Sequence, residues 1–371
     1  NSESICREYA DKYDNVSLYS KENEGLSKTR NYGLARCHGK YIFFLDSDDR
    51  LRADTVRVVT DFFDTVYGEV DLVTYRIIQY YNERPVIVHY RYRTLTETGV
   101  YDLRKPENRF ITQTNINICI KNRGEDNLLF DTTPNFRHED EKYCCDILRD
   151  KMKIGFCAEG EYIYNRDNVD SIVSTKFSPE NIFDTSMDFY ERMFDSFGRF
   201  VPTYYQGIVF NDLRWKFKDG KLLPVHLDGG EWEKANLRID RLLARMEEDT
   251  IVLHPSVDGV TLYYWLMRRP NSHPIVVCGD EIKIISGGRE LYSERKIKLK
   301  SKDGRASLVS PIFLFLRKEQ ITVLNNGKEI DFDFERNMKN TDILGFMPSF
   351  DYGEQDEISV IINTKEYKVA K

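Results

Sequence analysis

The sequence predicts an α/β chain in three parts: an α/β domain over residues 1–175, a helical linker module over 176–272 and an antiparallel β-sandwich over 273–371. Three observations predict it. In the first part, strand-like apolar runs alternate with amphipathic helices at the pitch of a parallel sheet. In the second, apolar residues recur at helical spacing, and in the third, short apolar runs are separated by Gly, Asn and Asp turns.

The elements follow in order. "NSESICREYADKYDN" places Ile5, Tyr9 and Tyr13 on one helical face, with Asn1 or Ser2 as its cap. "VSLYSKEN" reads as a short strand. "EGLSKTRNYGLARCHGK" carries Leu26, Gly33, Leu34 and Cys37 at helical spacing and stops at Gly39. The strand "YIFFL", a helix from about Ala53 to Val66 and the strand "VDLVTYRII" come next. From Ser178, a Ser cap and a first-turn Pro open a helix striped with Ile182, Phe183, Tyr190, Met193, Phe194 and Phe197. "EWEKANLRIDRLLARMEED" repeats the stripe with Trp232, Ala235, Ile239, Leu242, Leu243 and Met246. Beyond "RRPNSHP" five β-like runs appear, and Asn326-Gly327 signals a hairpin.

Composition narrows the function. A chain of 371 residues with 41% hydrophobic content can build several cores. No apolar run approaches the roughly 18 residues that span a bilayer. The net charge of -7 mixes both signs without a basic block, so nucleic acid is not an expected partner. Seven scattered cysteines without C-x-x-C spacing read as reduced thiols, which predicts a cytoplasmic protein.

"KYIFFLDSDDR" drives a strand into Asp46, Asp48 and Asp49. The carboxyl end of a strand in an open α/β sheet faces the ligand crevice. Crowded carboxylates raise one another's pKa unless a cation lies between them, and Mg²⁺ or Mn²⁺ takes one or two carboxylates plus substrate phosphates. Read alone, the stretch equally suits Asp48 or Asp49 as a helix cap. "NEGLSKTRNYGLA" adds Asn23, Gly25, Ser27, Arg30 and Asn31 at the mouth of a helix, where Arg30 offers a planar cation for a base or a phosphate. "FRHEDEKYCCDILRD" adds His138, Glu139, Asp140 and Glu141, which on their own are ordinary first-turn acids.

Together these three stretches resemble the family 2 glycosyltransferases of the GT-A fold. That family carries an Asn-x-Gly-x-(Ser/Gly)-x-(Ala/Thr)-Arg-Asn helix, a strand ending in Asp-x-Asp, and a Glu-Asp pair before an amphipathic helix. The resemblance covers about the first 175 residues and implies transfer of a sugar, with inversion, from a nucleotide diphosphate donor, UDP by default. It implies Asp140 as general base, supported by Glu139. Arg30, Asp46, Asp48, Asn23 and Asn31 are the donor-binding residues it implies, with Asp48 and Asp49 as ligands of Mn²⁺ or Mg²⁺. His138, Arg166 and Ser171 are implied contacts of diphosphate or acceptor, with Tyr164 alongside. The family also begins with strands ending in Pro-x-Tyr-Asn and Asp-Gly-Ser that hold base and ribose. This chain starts after them, so the expectation is a domain lacking its first strands and binding donor weakly.

The order of domain, helical module and sandwich is also similar to that of enzymes of bacterial wall teichoic acid and capsule synthesis. This implies a glycan or lipid-linked acceptor, a peripheral position at the inner face of the membrane, and a sandwich that holds copies together or grips the acceptor. "NDLRW" at 211–215 matches a synthase element only in part and is expected to pack Trp215 inside the helical module. Tyr204, Tyr205, Tyr263, Tyr264 and Trp265 are expected mainly as core, with sugar stacking the other use. Two further functions fit the composition: a metal-dependent nucleotidyltransferase and a non-catalytic glycan-binding or oligomerisation scaffold.

Overall fold

The computed structural model describes residues 2–82, 84–88, 90–167, 179–218, 221–222, 226–336 and 346–370. Its first part is a three-layered domain around a mixed sheet. Helices α1 (Ser2–Lys12) and α2 (Leu26–Leu34) precede strands β1 (Tyr41–Phe43) and β2 (Arg50–Leu51). Then come α3 (Thr55–Thr65), β3 (Leu72–Tyr81), β4 (Arg84–Val88), β5 (Gly99–Asp102), β6 (Ile118–Lys121), α4 (Glu139–Leu148) and β7 (Lys153–Asn165). The sheet order is β1-β6-β3-β7-β2, with β4 on β3 and β5 on β7.

The parallel sheet expected from the alternation is corrected to a mixed one. Among the described residues β3 and β7 pair in parallel, and the other pairings are antiparallel. Strand β6, antiparallel to both, separates β1 from β3 and arrives after a long excursion that local periodicity does not reveal. Leu72, Val73 and Tyr75 of β3 are fully buried because both faces are covered. On one side Val59 and Phe63 of α3 pack on Val70, Val73 and Tyr75. On the other, α2 and α4 contribute Leu34, Tyr143 and Cys144 to a core shared with Ile42, Phe44 and Ile118.

That second core does not stop at the α/β domain. It runs on through a π-helical turn (Asn181–Ser186), α5 (Met187–Asp195), α6 (Thr203–Lys218), α7 (Gly229–Ala244), α8 (Glu248–Val252) and α9 (Gly259–Met267). The stripes predicted for α5 and α7 face the core, Phe194 and Ile239 completely buried and Phe197 and Trp232 partly so. Tyr204, Tyr205, Tyr263, Tyr264 and Trp265 are all core. Trp215 departs from expectation: it is 46% exposed, because Leu213, Lys216 and Phe217 take the inward face of α6.

The last part contains β8 (Ile275–Cys278), β9 (Ile282–Ser286), β10 (Arg289–Glu294), β11 (Lys296–Lys302), β12 (Arg305–Val309), β13 (Ile321–Asn325), β14 (Lys328–Ile330), β15 (Asp333–Arg336), β16 (Phe346–Asp351), β17 (Ile358–Ile362) and β18 (Lys365–Ala370). A sheet ordered β10-β9-β8 faces one ordered β14-β13-β17-β18-β11-β12-β16-β15, and Ile282 joins Ile297, Val323 and Val360 in the core between them. The pairing of β11 with β18 is parallel, which corrects the all-antiparallel expectation. Asn326-Gly327 does turn the β13–β14 hairpin, with Asn325 opposite Lys328.

The early elements follow expectation only in part. Helix α1 forms, yet it buries no residue: Ile5 and Tyr9 are more than half exposed. The "VSLYSKEN" stretch forms no strand. Helix α2 ends at Leu34, short of Gly39, because the chain must turn there to enter β1. The Ser178 cap lies outside the described residues. All seven cysteines are unpaired thiols. No helix among the described residues is long and apolar enough to cross a membrane.

The junction between α/β domain and helices can be tested at Gly207. A Cβ there would sit 2.1 Å from the backbone oxygen of Arg109, which no rotamer relieves. Gly207→Ala should therefore lower unfolding free energy by about 3 kcal/mol in urea titration. A loss below about 0.5 kcal/mol would show that α6 does not press on this backbone.

Candidate active site

The crevice is built at the carboxyl end of β1. After Phe43 the chain leaves the ladder and folds into a turn in which Asp49 N donates to Asp46 O at 3.1 Å. Asp46 is partly exposed and Asp48 exposed on this turn, whereas Asp49 is 8% exposed. Tyr162 of β7 holds the turn from below. Its hydroxyl accepts from Asp46 N at 3.2 Å and donates to Asp49 Oδ2 at 2.7 Å, while Asn165 N donates to Asp49 Oδ1 at 2.8 Å. Burial pushes the Tyr162 phenol up, so it keeps the proton it donates. Burial likewise raises Asp49, against the pull of its two donors. Both Asp49 oxygens thus help to fix the turn.

Helix α2 enters the crevice through Gly25, whose φ of 93° is open to glycine at little cost. Asn23 Oδ1 accepts from Gly25 N at 3.1 Å, so Asn23 shapes this entry. One turn on, Arg30 is the centre of the site. Its guanidinium donates to Asp46 Oδ1 at 3.0 Å and to Asp140 Oδ1, and it lies 5.2 Å from the centroid of Phe130. The side chain is only 8% exposed. Burial works against its charge, but Asp140 and Asp46 outweigh burial and raise its pKa.

Asn31 fixes what Arg30 stands on. Its Nδ2 donates to Phe130 O at 2.9 Å and its Oδ1 accepts from Phe130 N at 2.8 Å. Phe130 stacks on Tyr143 with ring centroids 3.9 Å apart and meets Phe44 edge-on at 5.3 Å. Asn31, expected to bind donor, therefore spends both polar groups on the chain itself. Its reach across 99 residues carries no local signal.

Asp140 stands in the first turn of α4. Burial raises its pKa most, Arg30 pulls it back, and Glu139 and Asp46 push it up again, to about 7. A carboxylate of this kind takes a proton near neutral pH, as a general base must. Glu139 is partly buried beside it. His138, expected to touch diphosphate or acceptor, is instead buried against the helical module, its Nε2 2.8 Å from Ser186 Oγ. Arg166 is exposed, its backbone N donating to Tyr80 O at 2.8 Å, and Ser171 lies outside the described residues.

Comparison with known proteins decides the family. Residues 1–122 match glycosyl transferase family 2. Over 271 residues, 71% of this chain, the sequence is 31% identical to the minor teichoic acid biosynthesis protein GgaB of Bacillus subtilis (strain 168). The first domain is a family 2 glycosyltransferase domain. The chain spans 30% of GgaB and 52% of a second relative, the uncharacterized glycosyltransferase EpsJ of Bacillus subtilis, to which it is 27% identical over 47% of its own length. Among solved structures, residues 1–349 of S. aureus TarS in complex with UDP-GlcNAc superpose with a TM-score of 0.53 and 18% identity, covering 78% of this chain and 86% of that one. A longer S. aureus TarS structure covers 99% of this chain and 69% of its own, with TM-score 0.53 and 15% identity. At such identity the likeness establishes the fold alone, which is GT-A.

Arg30 thus contacts both Asp46 and Asp140 across the crevice. Sequence reading missed Tyr162, Phe130 and Tyr143. Of these, Tyr162 had a signal, since it shares a face of β7 with Tyr164. Tyr162→Phe removes the bridge between turn and strand and leaves a buried carboxylate oxygen unpaired. Unfolding free energy should fall by about 1–3 kcal/mol, read by urea titration. No loss would mean that the turn is held elsewhere.

Proposed function

We propose that the protein is an inverting glycosyltransferase that moves a sugar from a nucleotide diphosphate donor to a hydroxyl of a teichoic-acid-like wall polymer. The observation that carries this reading is the Asp46–Arg30–Asp140 contact, which joins a donor-side aspartate to a base of raised pKa through one guanidinium. GgaB is named for minor teichoic acid synthesis, and TarS was solved with UDP-GlcNAc and with UDP, which supports a wall-polymer acceptor and a UDP-sugar donor.

In this reading Asp140 removes the proton from the acceptor hydroxyl as its oxygen attacks the anomeric carbon from the face opposite the diphosphate. Arg30 holds Asp140 while the crevice is empty and can turn to donor phosphate as it fills. Asp46 is placed beside the nucleoside. The exposed carboxylate of Asp48, with Asp49 beside it, would hold Mn²⁺ or Mg²⁺. No group of three acidic, His or Cys side chains that could hold a metal occurs among the described residues. A magnesium-type site takes one or two carboxylates and is completed by substrate phosphates. When bound, such a cation neutralises charge on the departing diphosphate.

The test is UDP release from UDP-GlcNAc in the presence of purified wall teichoic acid, with GDP-, CDP- and dTDP-sugars as controls. Asp140→Asn should lower kcat by about 10²–10⁴-fold while UDP affinity by calorimetry holds. Because the Asp140 pKa is raised, the active carboxylate is lost as pH falls through about 7. In the wild type kcat/KM should accordingly drop tenfold per pH unit below that value and level off above it. An acid limb near pH 4, or full turnover by Asp140→Asn, contradicts the assignment of the base. Release of inorganic diphosphate in place of UDP contradicts the reaction class.

A further inference from the structure

The residue before the Glu139-Asp140 pair leads into a buried polar network that the transfer chemistry does not use. His138 immediately precedes helix α4, and its carbonyl accepts from Lys142 N at 2.8 Å. Its imidazole turns away from the crevice and lies among the rings of Phe136, Phe189 and Tyr190, with centroids 5.9, 5.6 and 5.3 Å distant. There it meets Lys216, an α6 side chain only 7% exposed.

The ammonium of Lys216 has three protons and four polar neighbours, the most distant being the Tyr190 hydroxyl at 3.5 Å. It donates to Asp212, to His138 Nε2 at 3.2 Å and to Ser186 Oγ at 3.2 Å. An ammonium has no lone pair, so in a hydrogen bond with Lys216 the His138 Nε2 can only accept, which places the imidazole proton on Nδ1, 3.5 Å from Glu141 Oε2. The Ser186 hydroxyl, 2.8 Å from the same Nε2 and 2.6 Å from Asn181 O, has one proton for these two acceptors. The Tyr190 hydroxyl donates to Asp212. Burial would raise the Asp212 pKa, but Lys216 outweighs it and keeps the carboxylate charged.

Burying this ion pair is costly, and an apolar side chain of the same volume would fill the space more cheaply. What an apolar side chain lacks is direction. The lone pair of His138 Nε2 must point at Lys216, which sets the rotation of the first turn of α4 about its own axis. Asp140 stands two residues along that turn. A displacement of 1 Å at a reacting group can cost about 10²-fold in rate.

We infer that Lys216 and His138 are positioning residues for Asp140, so that the helical module sets the geometry of the base. This rests on the reading of Asp140 as the base, and the experiment separates the two. Lys216→Met alone leaves Asp212 as a buried charge, so the test uses Lys216→Met/Asp212→Asn, which removes both charges together. Amide hydrogen exchange, which needs no substrate, should become at least about tenfold faster over Lys142–Cys145 of α4 and stay unchanged over Val59–Phe63 of α3. With UDP-GlcNAc and purified wall teichoic acid, kcat should fall about 10–100-fold with donor KM within about twofold. His138→Gln, whose carboxamide oxygen offers Lys216 an acceptor near the place of Nε2, should keep kcat within about threefold of wild type, whereas His138→Phe should match the double variant. Unchanged exchange in α4, or exchange that rises equally in α3 and α4, overturns the inference. Full activity of Asp140→Asn overturns the base assignment instead, and leaves the local exchange result to stand by itself.

Discussion

Arg30, held between Asp46 and Asp140, is the contact on which the candidate site depends. Two carboxylates delivered by different elements would repel each other in a partly dry crevice, and Glu139 adds to that repulsion. One guanidinium suits both because its planar fork can point separate N–H groups at separate acceptors. The rest of the local structure secures that cation. Asn31 clamps the backbone of Phe130, Phe130 lies under Arg30 and stacks on Tyr143, and Tyr143 belongs to the same helix as Asp140. The adjacent residues Arg30 and Asn31 thus hold the two sides of one arrangement, the charge and its platform.

The acidic strand end that looked self-repelling is stabilised in two different ways. Asp46 meets a cation, while Asp49 is held by a phenol and a backbone N–H and acts as an internal fastening. Of the three aspartates, Asp48 is the most exposed.

Much of the site was legible because its chemistry is concentrated in short stretches. Arg30, Asp46 and Asp140 each stand in a local pattern, and the crevice position follows from the strand end. The supports were harder to read, because Tyr162 and Phe130 bond to residues far along the chain, and Lys216, apart from Asp212 one turn back, meets Ser186 and His138. Helix periodicity located α3, α5 and α7, yet it could not say that α1 would have no surface to cover, or that β6 would slot between β1 and β3. Nor could it show that the α/β domain and the helices share one continuous core. A boundary drawn from composition near residue 175 marks a change of texture, and the packing runs across it.

The central claim is that Arg30 keeps a carboxylate of raised pKa poised beside a second one. The most direct measurement is a carboxyl ¹³C NMR titration of Asp140 in the wild type and in Arg30→Met. The account predicts a midpoint near 7 that moves upward when the guanidinium is removed. A wild-type midpoint near 4, unaltered in Arg30→Met, would contradict it.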